Sequence, residues 1–111
     1  MQAGITENAK MMLDLIDALK KEGYRSQSLI VAKAGSMREY DKQMGIYSTK
    51  LKDAGLQTTL IKDRSRAECS EFLYQKIIAE ETLKAHYSRL DTLKAQLNGY
   101  QSINRYLDST T

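Results

Sequence analysis

The chain has 111 residues, 28% of them charged and 41% apolar, with a formal charge of +3. That length supports one domain with a modest core, and the composition excludes disorder. One cysteine excludes an intramolecular disulfide framework and makes a reduced, cytoplasmic setting the simplest context. No apolar run approaches the ~18 residues that span a bilayer, and no basic-then-apolar leader opens the chain, so neither membrane nor secretion is expected. The lack of proline fits a chain that is helical almost throughout.

The first expected helix covers about residues 7–22. Thr6 is placed to cap it, and Glu7 favours the positive end of the macrodipole. Ala9, Met12, Leu13, Ile16 and Leu19 form its apolar stripe, opposite Lys10, Asp14, Asp17, Lys20 and Lys21. Lys20 and Lys21 followed by Gly23 read as a helix stop.

A second helix is expected over about 26–54, started by Ser26 or Ser28 and closed by Gly55. Its seam, spaced alternately by three and four, is Ile30, Lys33, Met37, Tyr40, Met44, Tyr47, Leu51 and Ala54. The alternating methionines and tyrosines read as a core in which each ring is buried and each hydroxyl stays wet. Gly35 and Gly45 weaken the helix and mark places for close contact or a kink.

Residues 55–65 form a turn, in which Thr58 or Thr59 can cap a single helical turn that tucks in Leu60 and Ile61. A connection this short makes its flanking helices antiparallel neighbours. Ser65 and Glu68 then stand in capping-box order, opening a helix expected over about 66–107. A heptad runs along it. Cys69, Lys76, Leu83, Leu90, Leu97 and Asn104 occupy one seam position; Phe72, Ala79, His86, Leu93, Tyr100 and Leu107 occupy the other.

Lengths constrain the packing. The second helix spans ~43 Å and the third ~63 Å, which leaves ~20 Å of the third uncovered. The first helix, at ~24 Å, matches that overhang if the chain continues in line past Gly23. Folding back on the second helix would instead leave Leu97, Tyr100, Ile103 and Leu107 in need of an intermolecular partner. The expected fold is therefore all-α: a long, coiled-coil-like antiparallel hairpin with an additional N-terminal helix, in one domain over 1–111. Self-association is expected, most simply as a dimer. Its candidate seam is Leu83, His86, Leu90, Leu93, Leu97, Tyr100, Asn104 and Leu107.

Catalysis is not expected. The single histidine, His86, lies ~25 Å along the helix from the single cysteine, Cys69, too far for a nucleophile and its base. Glu80 and Glu81 precede His86 by six and five residues, not the three that places two metal ligands on one helix face. No metal, dinucleotide or phosphate-loop motif occurs, so no cofactor is implied. His86 and Asn104 read as polar seam residues that set register or oligomer state. Cys69 reads as a small apolar residue.

The positive charge is concentrated. Residues 50–66 carry Lys50, Lys52, Lys62, Arg64 and Arg66 against Asp53 and Asp63, which accounts for the whole net excess. A solvated turn explains such a segment; contact with an anion or nucleic acid is the alternative. Seven tyrosines could stack bases, but they follow core spacing and are not interleaved with the basic turn.

The helix ending Lys50 to Gly55, the segment Thr58 to Asp63, the run Ala67 to Tyr74 and the close Gln101 to Ser109 resemble a group of small helical proteins of bacterial phages and prophages. Several members lie near genes for single-strand-annealing recombination. Arg64-Ser65 stands where a Lys-Gly pair is expected in such proteins, and the first 40 residues carry no part of the resemblance. It implies a phage-encoded accessory role in the bacterial cytoplasm. The function expected is docking on another protein, belonging to phage recombination or replication or to a host defence system. Accessory nucleic-acid binding through the basic turn is the alternative.

Overall fold

A computed structural model describes residues 2–110, without the side chains of Gln2, Ala3 and Ile5. Three α-helices account for nearly all of them: α1 (Gln2–Asp53), α2 (Thr58–Glu68) and α3 (Ser70–Thr110). There is no strand among the described residues. The chain is an all-α helical hairpin with one further helix, as its periodicity implies.

The element boundaries differ from those expected in instructive ways. Gly23 does not stop a helix; α1 runs through it, so the segment expected as a separate N-terminal helix is the first part of α1. Lys20 and Lys21 therefore lie mid-helix, and Thr6 lies inside α1 and caps nothing. A glycine favours termination only where the chain must turn, and here the i→i−4 ladder has partners on both sides.

Gly55 does end α1. Its φ of +85° is the left-handed conformation that glycine adopts without strain. The Gly55 N–H donates to the Lys52 carbonyl and the Leu56 N–H to the Leu51 carbonyl, both at 3.0 Å. This pair of bonds is a Schellman closure, and Lys50 and Lys52 in the last turn complement the dipole.

The turn expected over 55–65 is shorter than that, because α2 begins at Thr58. Neither threonine caps it; Gln57 holds the cap position in extended geometry, without a side-chain bond. Ser65 does not open the following helix and the capping box does not form. Ser65 is instead buried inside α2. The α2–α3 junction is a single residue, Cys69, and the ladder passes across it: Cys69 N–H donates to Ser65 O at 2.9 Å and Leu73 N–H to Cys69 O at 3.0 Å.

The chain divides into two compact units. One is Met1–Gln27 with Lys84–Thr111, the other Ser28–Leu83. In the first, the start of α1 lies against the end of α3: a Cβ on Gly4 would meet Leu107 Cδ1 at 3.6 Å. The α3 overhang is thus covered within the chain, by the segment that continues past Gly23.

On α3 the heptad holds throughout. All twelve counted positions, with Cys69 just before the helix, are buried or half-buried. Leu83 and Leu93 are buried, and Cys69 is fully so. On α1 the buried stripe departs from the apolar count. It runs through Asn8, Met12, Leu15, Leu19, Glu22, Ser26, Leu29, Lys33, Ser36 and Tyr40, alternating four and three, then shifts by four to Met44 before Tyr47 and Leu51. That extra four-residue step is a stutter, which locally unwinds a coiled coil. Leu13, Ile16, Ile30, Met37 and Ala54, expected on the seam, are exposed.

Candidate functional site

The most organised chemistry lies in the first unit, where α1 places Glu22 and Ser26 one turn apart on the buried stripe and α3 places His86 between them. Glu22 and His86 are 9% and 5% exposed. His86 Nδ1 lies 3.1 Å from Glu22 Oε2, and His86 Nε2 lies 2.7 Å from Ser26 Oγ. Arg89 Nε donates to Glu22 Oε1 at 3.0 Å, and an Arg25 guanidinium nitrogen donates to Glu22 Oε2 at 3.4 Å.

The proton positions follow from donor and acceptor capacity. An ionised carboxylate only accepts, so His86 Nδ1 carries a hydrogen towards Glu22. Nε2 then accepts from the Ser26 hydroxyl. If the ring gains a second proton, Nε2 donates instead, and the hydroxyl can turn towards the Glu22 carbonyl 3.5 Å away. Both charge states of the ring are therefore satisfied. Glu22 itself is held below the ordinary 4.5, first by the Arg89 hydrogen bond, then by the Arg25 charge and the His86 bond, against the opposing effect of burial.

Serine, imidazole and carboxylate in this order are the parts of an acyl-transfer triad, but the setting does not supply the rest. Ser26 is in the interior of α1, where backbone N–H groups are engaged in the helix ladder, so none is presented to a developing oxyanion. The carboxylate is bonded to two arginines as well as the histidine. Burial on a helix seam, full hydrogen bonding and arginines at the wet edge describe a polar packing layer. Such a layer fixes which turn of α1 meets which turn of α3.

The second unit carries smaller polar devices. Ser48 Oγ and Ser65 Oγ share a hydrogen bond at 3.1 Å. The Lys76 ammonium stands 5.1 Å from the centre of the Tyr40 ring, so a lysine at a seam position lays its head group over an aromatic face. Burial, and next the Glu68 charge, push the Cys69 thiol up, which keeps it protonated and unreactive.

The basic residues do not converge. Lys50 and Lys52 are exposed in the last turn of α1, with Lys50 Nζ 5.2 Å from the centre of the Tyr47 ring. Lys62, Arg64 and Arg66 are exposed on α2. Helical spacing puts Lys62 and Arg66 on one face and turns Arg64 away from them. Arg64 instead borders an apolar notch with Leu56, Leu60 and Ala67. The segment expected as a basic turn is mostly helix, and its charges point in several directions.

The candidate self-association seam is engaged inside the chain. Leu83, His86 and Leu93 are buried, and Leu90, Leu97, Tyr100, Asn104 and Leu107 are half-buried. The cause is the continuity of α1 past Gly23, which supplies the partner that a second copy had been expected to provide. Glu22 and Ser26 were missed because a count of apolar residues skips them. Extending the four-three spacing from Met12, Leu15 and Leu19 reaches both.

Among the described residues, no group of three histidine, cysteine or acidic side chains could hold a metal ion, and no helix is long and apolar enough to cross a membrane. No known sequence family, characterised protein or solved structure matches the chain.

Proposed function

We propose that this is a non-enzymatic helical interaction protein of the phage-accessory type, which self-associates and acts by docking on another protein in the bacterial cytoplasm. The partner class follows the resemblance: a component of phage recombination or replication, or a host defence factor that the protein blocks. One observation carries the interaction reading. Among the described residues only Cys69, Leu83 and Leu93 are buried apolar side chains, while fifteen large hydrophobic ones are exposed, Leu13, Val31, Tyr74 and Ile103 among them. The chain exposes 8152 Å², against about 6,200 Å² for a folded monomer of its 12.6 kDa mass. Large apolar side chains left exposed in this number are what an interface removes from water.

Light scattering across a dilution series tests it. The expected mass exceeds 12.6 kDa and falls on dilution, without the steep salt dependence of a phosphate-binding surface. Changing Lys62, Arg64 and Arg66 together to serine leaves that mass unchanged. A monomer at every concentration overturns self-association. Capture from infected cells, followed by mass spectrometry, then identifies the docking partner; affinity for single-stranded DNA that collapses with salt would favour the nucleic-acid reading instead.

A further inference from the structure

We infer that the outer face of α2, at the closed end of the hairpin, docks an acidic segment of a partner protein that inserts one apolar side chain. The inference rests on the docking reading above and adds the surface and the chemistry of the partner.

The two sides of α2 differ. Ile61 and Ser65, one turn apart, are its covered side: Ser65 is buried, Ile61 is half-buried, and the Ser65 hydroxyl bonds Ser48 of α1. On the other side Leu60, Asp63, Arg64 and Ala67 are all exposed, and helical spacing gathers them on one face. With half-buried Leu56 from the turn they line a notch of about 260 Å³. Leu56, Leu60 and Ala67 are its apolar lining, and Asp63 and Arg64 its polar one. The volume lies below the ~300–1,000 Å³ of small-molecule sites and suits a single protruding side chain. A surface helix that served only its own hairpin would carry a polar residue where Leu60 stands, 51% exposed.

The charge around the notch chooses the partner. Residues 50–66 carry five cations against two acids, and among the described residues none of the five makes an ion pair. Because these cations point in several directions, they make a positive field over the whole end of the hairpin and no cradle for one phosphate. Such a field draws in an acidic chain, while an apolar anchor seated in the notch fixes where that chain stops. A nucleic-acid backbone has no aliphatic side chain for the notch, and Asp63 beside it repels phosphate. An acidic protein segment with a leucine-like anchor meets both features.

The test uses the full chain and labelled synthetic peptides at physiological salt, read by fluorescence anisotropy. The probe is a peptide of glutamates and alanines with one central leucine. It is expected to bind about tenfold or more tighter than the same peptide with alanine for leucine, or with lysines for glutamates. Ala67→Glu puts an acid in the notch at an exposed helix position; it is expected to weaken the leucine peptide by a similar factor with the helical circular dichroism unchanged. Lys62→Ser, on another face of α2, is expected to change it by less than about threefold. If Ala67→Glu loses helix, the peptide comparison on the wild type decides. Equal binding of the leucine and alanine peptides, no binding at about 1 mM, or a folded Ala67→Glu that binds like the wild type overturns the inference. So does a single-stranded oligonucleotide that binds more tightly than the leucine peptide and dissociates with salt, which gives this end to nucleic acid. A partner captured from infected cells that binds wild type and Ala67→Glu alike overturns this face and leaves docking standing. Infected cells that yield no partner remove both.

Discussion

The two compact units solve one problem with different chemistry. Each must hold α1 against α3 along a seam only one or two side chains wide. The Ser28–Leu83 unit does so with hydroxyls, a buried thiol and a lysine laid over a tyrosine ring. The other unit brings a carboxylate, an imidazole and two guanidinium groups into one layer. A neutral hydroxyl pair tolerates loss of a partner better, because an unpaired buried hydroxyl costs less than an unpaired buried charge. A charged layer does not, and the difference teaches which of the two polar layers is the more sensitive.

The largest effects are expected where the units are alike. Leu83 and Leu93 are each 7% exposed, one per unit. Alanine at either is expected to cost ~2–5 kcal/mol, a large share of a small domain's stability. Thermal melts of the two variants check this, and a cost below 1 kcal/mol at only one of them would show that its unit does not rely on the shared seam.

Next comes the polar layer. His86→Leu alone leaves Glu22 buried without its imidazole donor and is expected to destabilise by ~1–3 kcal/mol. Replacing Glu22 and His86 together by leucine is expected to recover most of that, since a buried pair exchanged for apolar groups is often neutral or better. A double variant as weak as the single would mean that the layer contributes attraction as well as uniqueness.

Acid separates the units further. Glu22 titrates lower in the folded chain than in the unfolded one, so its contribution is complete above about pH 4.5 and is lost as pH falls through the folded value. The groups facing it are Arg25, His86 and Arg89. Melting temperature followed from about pH 6 to about pH 3 is expected to fall less in Glu22→Gln than in the wild type. Equal slopes would remove Glu22 as a source of acid sensitivity.

The smallest effect has the opposite sign. A Cβ on Gly23 meets nothing within 4 Å, so Gly23→Ala is expected to stabilise by ~0.5–1 kcal/mol through helix propensity and unfolded-state entropy. Loss of stability would restore Gly23 as a break between two helices.

These contrasts also mark how far the sequence could be read. The α3 seam was legible to the residue, because its heptad is filled mostly by apolar side chains from Cys69 to Leu107. The α1 stripe was legible in part: Met12, Leu19, Lys33, Tyr40, Met44, Tyr47 and Leu51 lie on it as expected, but Ser26 and Ser36 take covered positions where the apolar count chose Ile30 and Met37, which are exposed. Antiparallel packing was legible from lengths alone. The Glu22–Ser26–His86 layer was half legible: His86 stood out as a polar seam residue, but its partners are polar residues that look like solvent-facing ones until a register is imposed.

The separations along the chain carry a kinetic consequence. Ser48 and Ser65 are 17 residues apart, whereas Ser26 and Glu22 reach His86 across 60 and 64. Closing a long loop costs more entropy than closing a short one, and non-local contacts slow the search for the native state. The Ser28–Leu83 unit therefore forms first, and its closure shortens the remaining search for the two chain ends. On a ribosome adding about 5–20 residues per second, Glu22 waits roughly 3–13 s for His86 to be made. In refolding experiments, Leu83→Ala is expected to slow folding and Leu93→Ala to speed unfolding. The reverse assignment would mean that the hairpin closes from its ends.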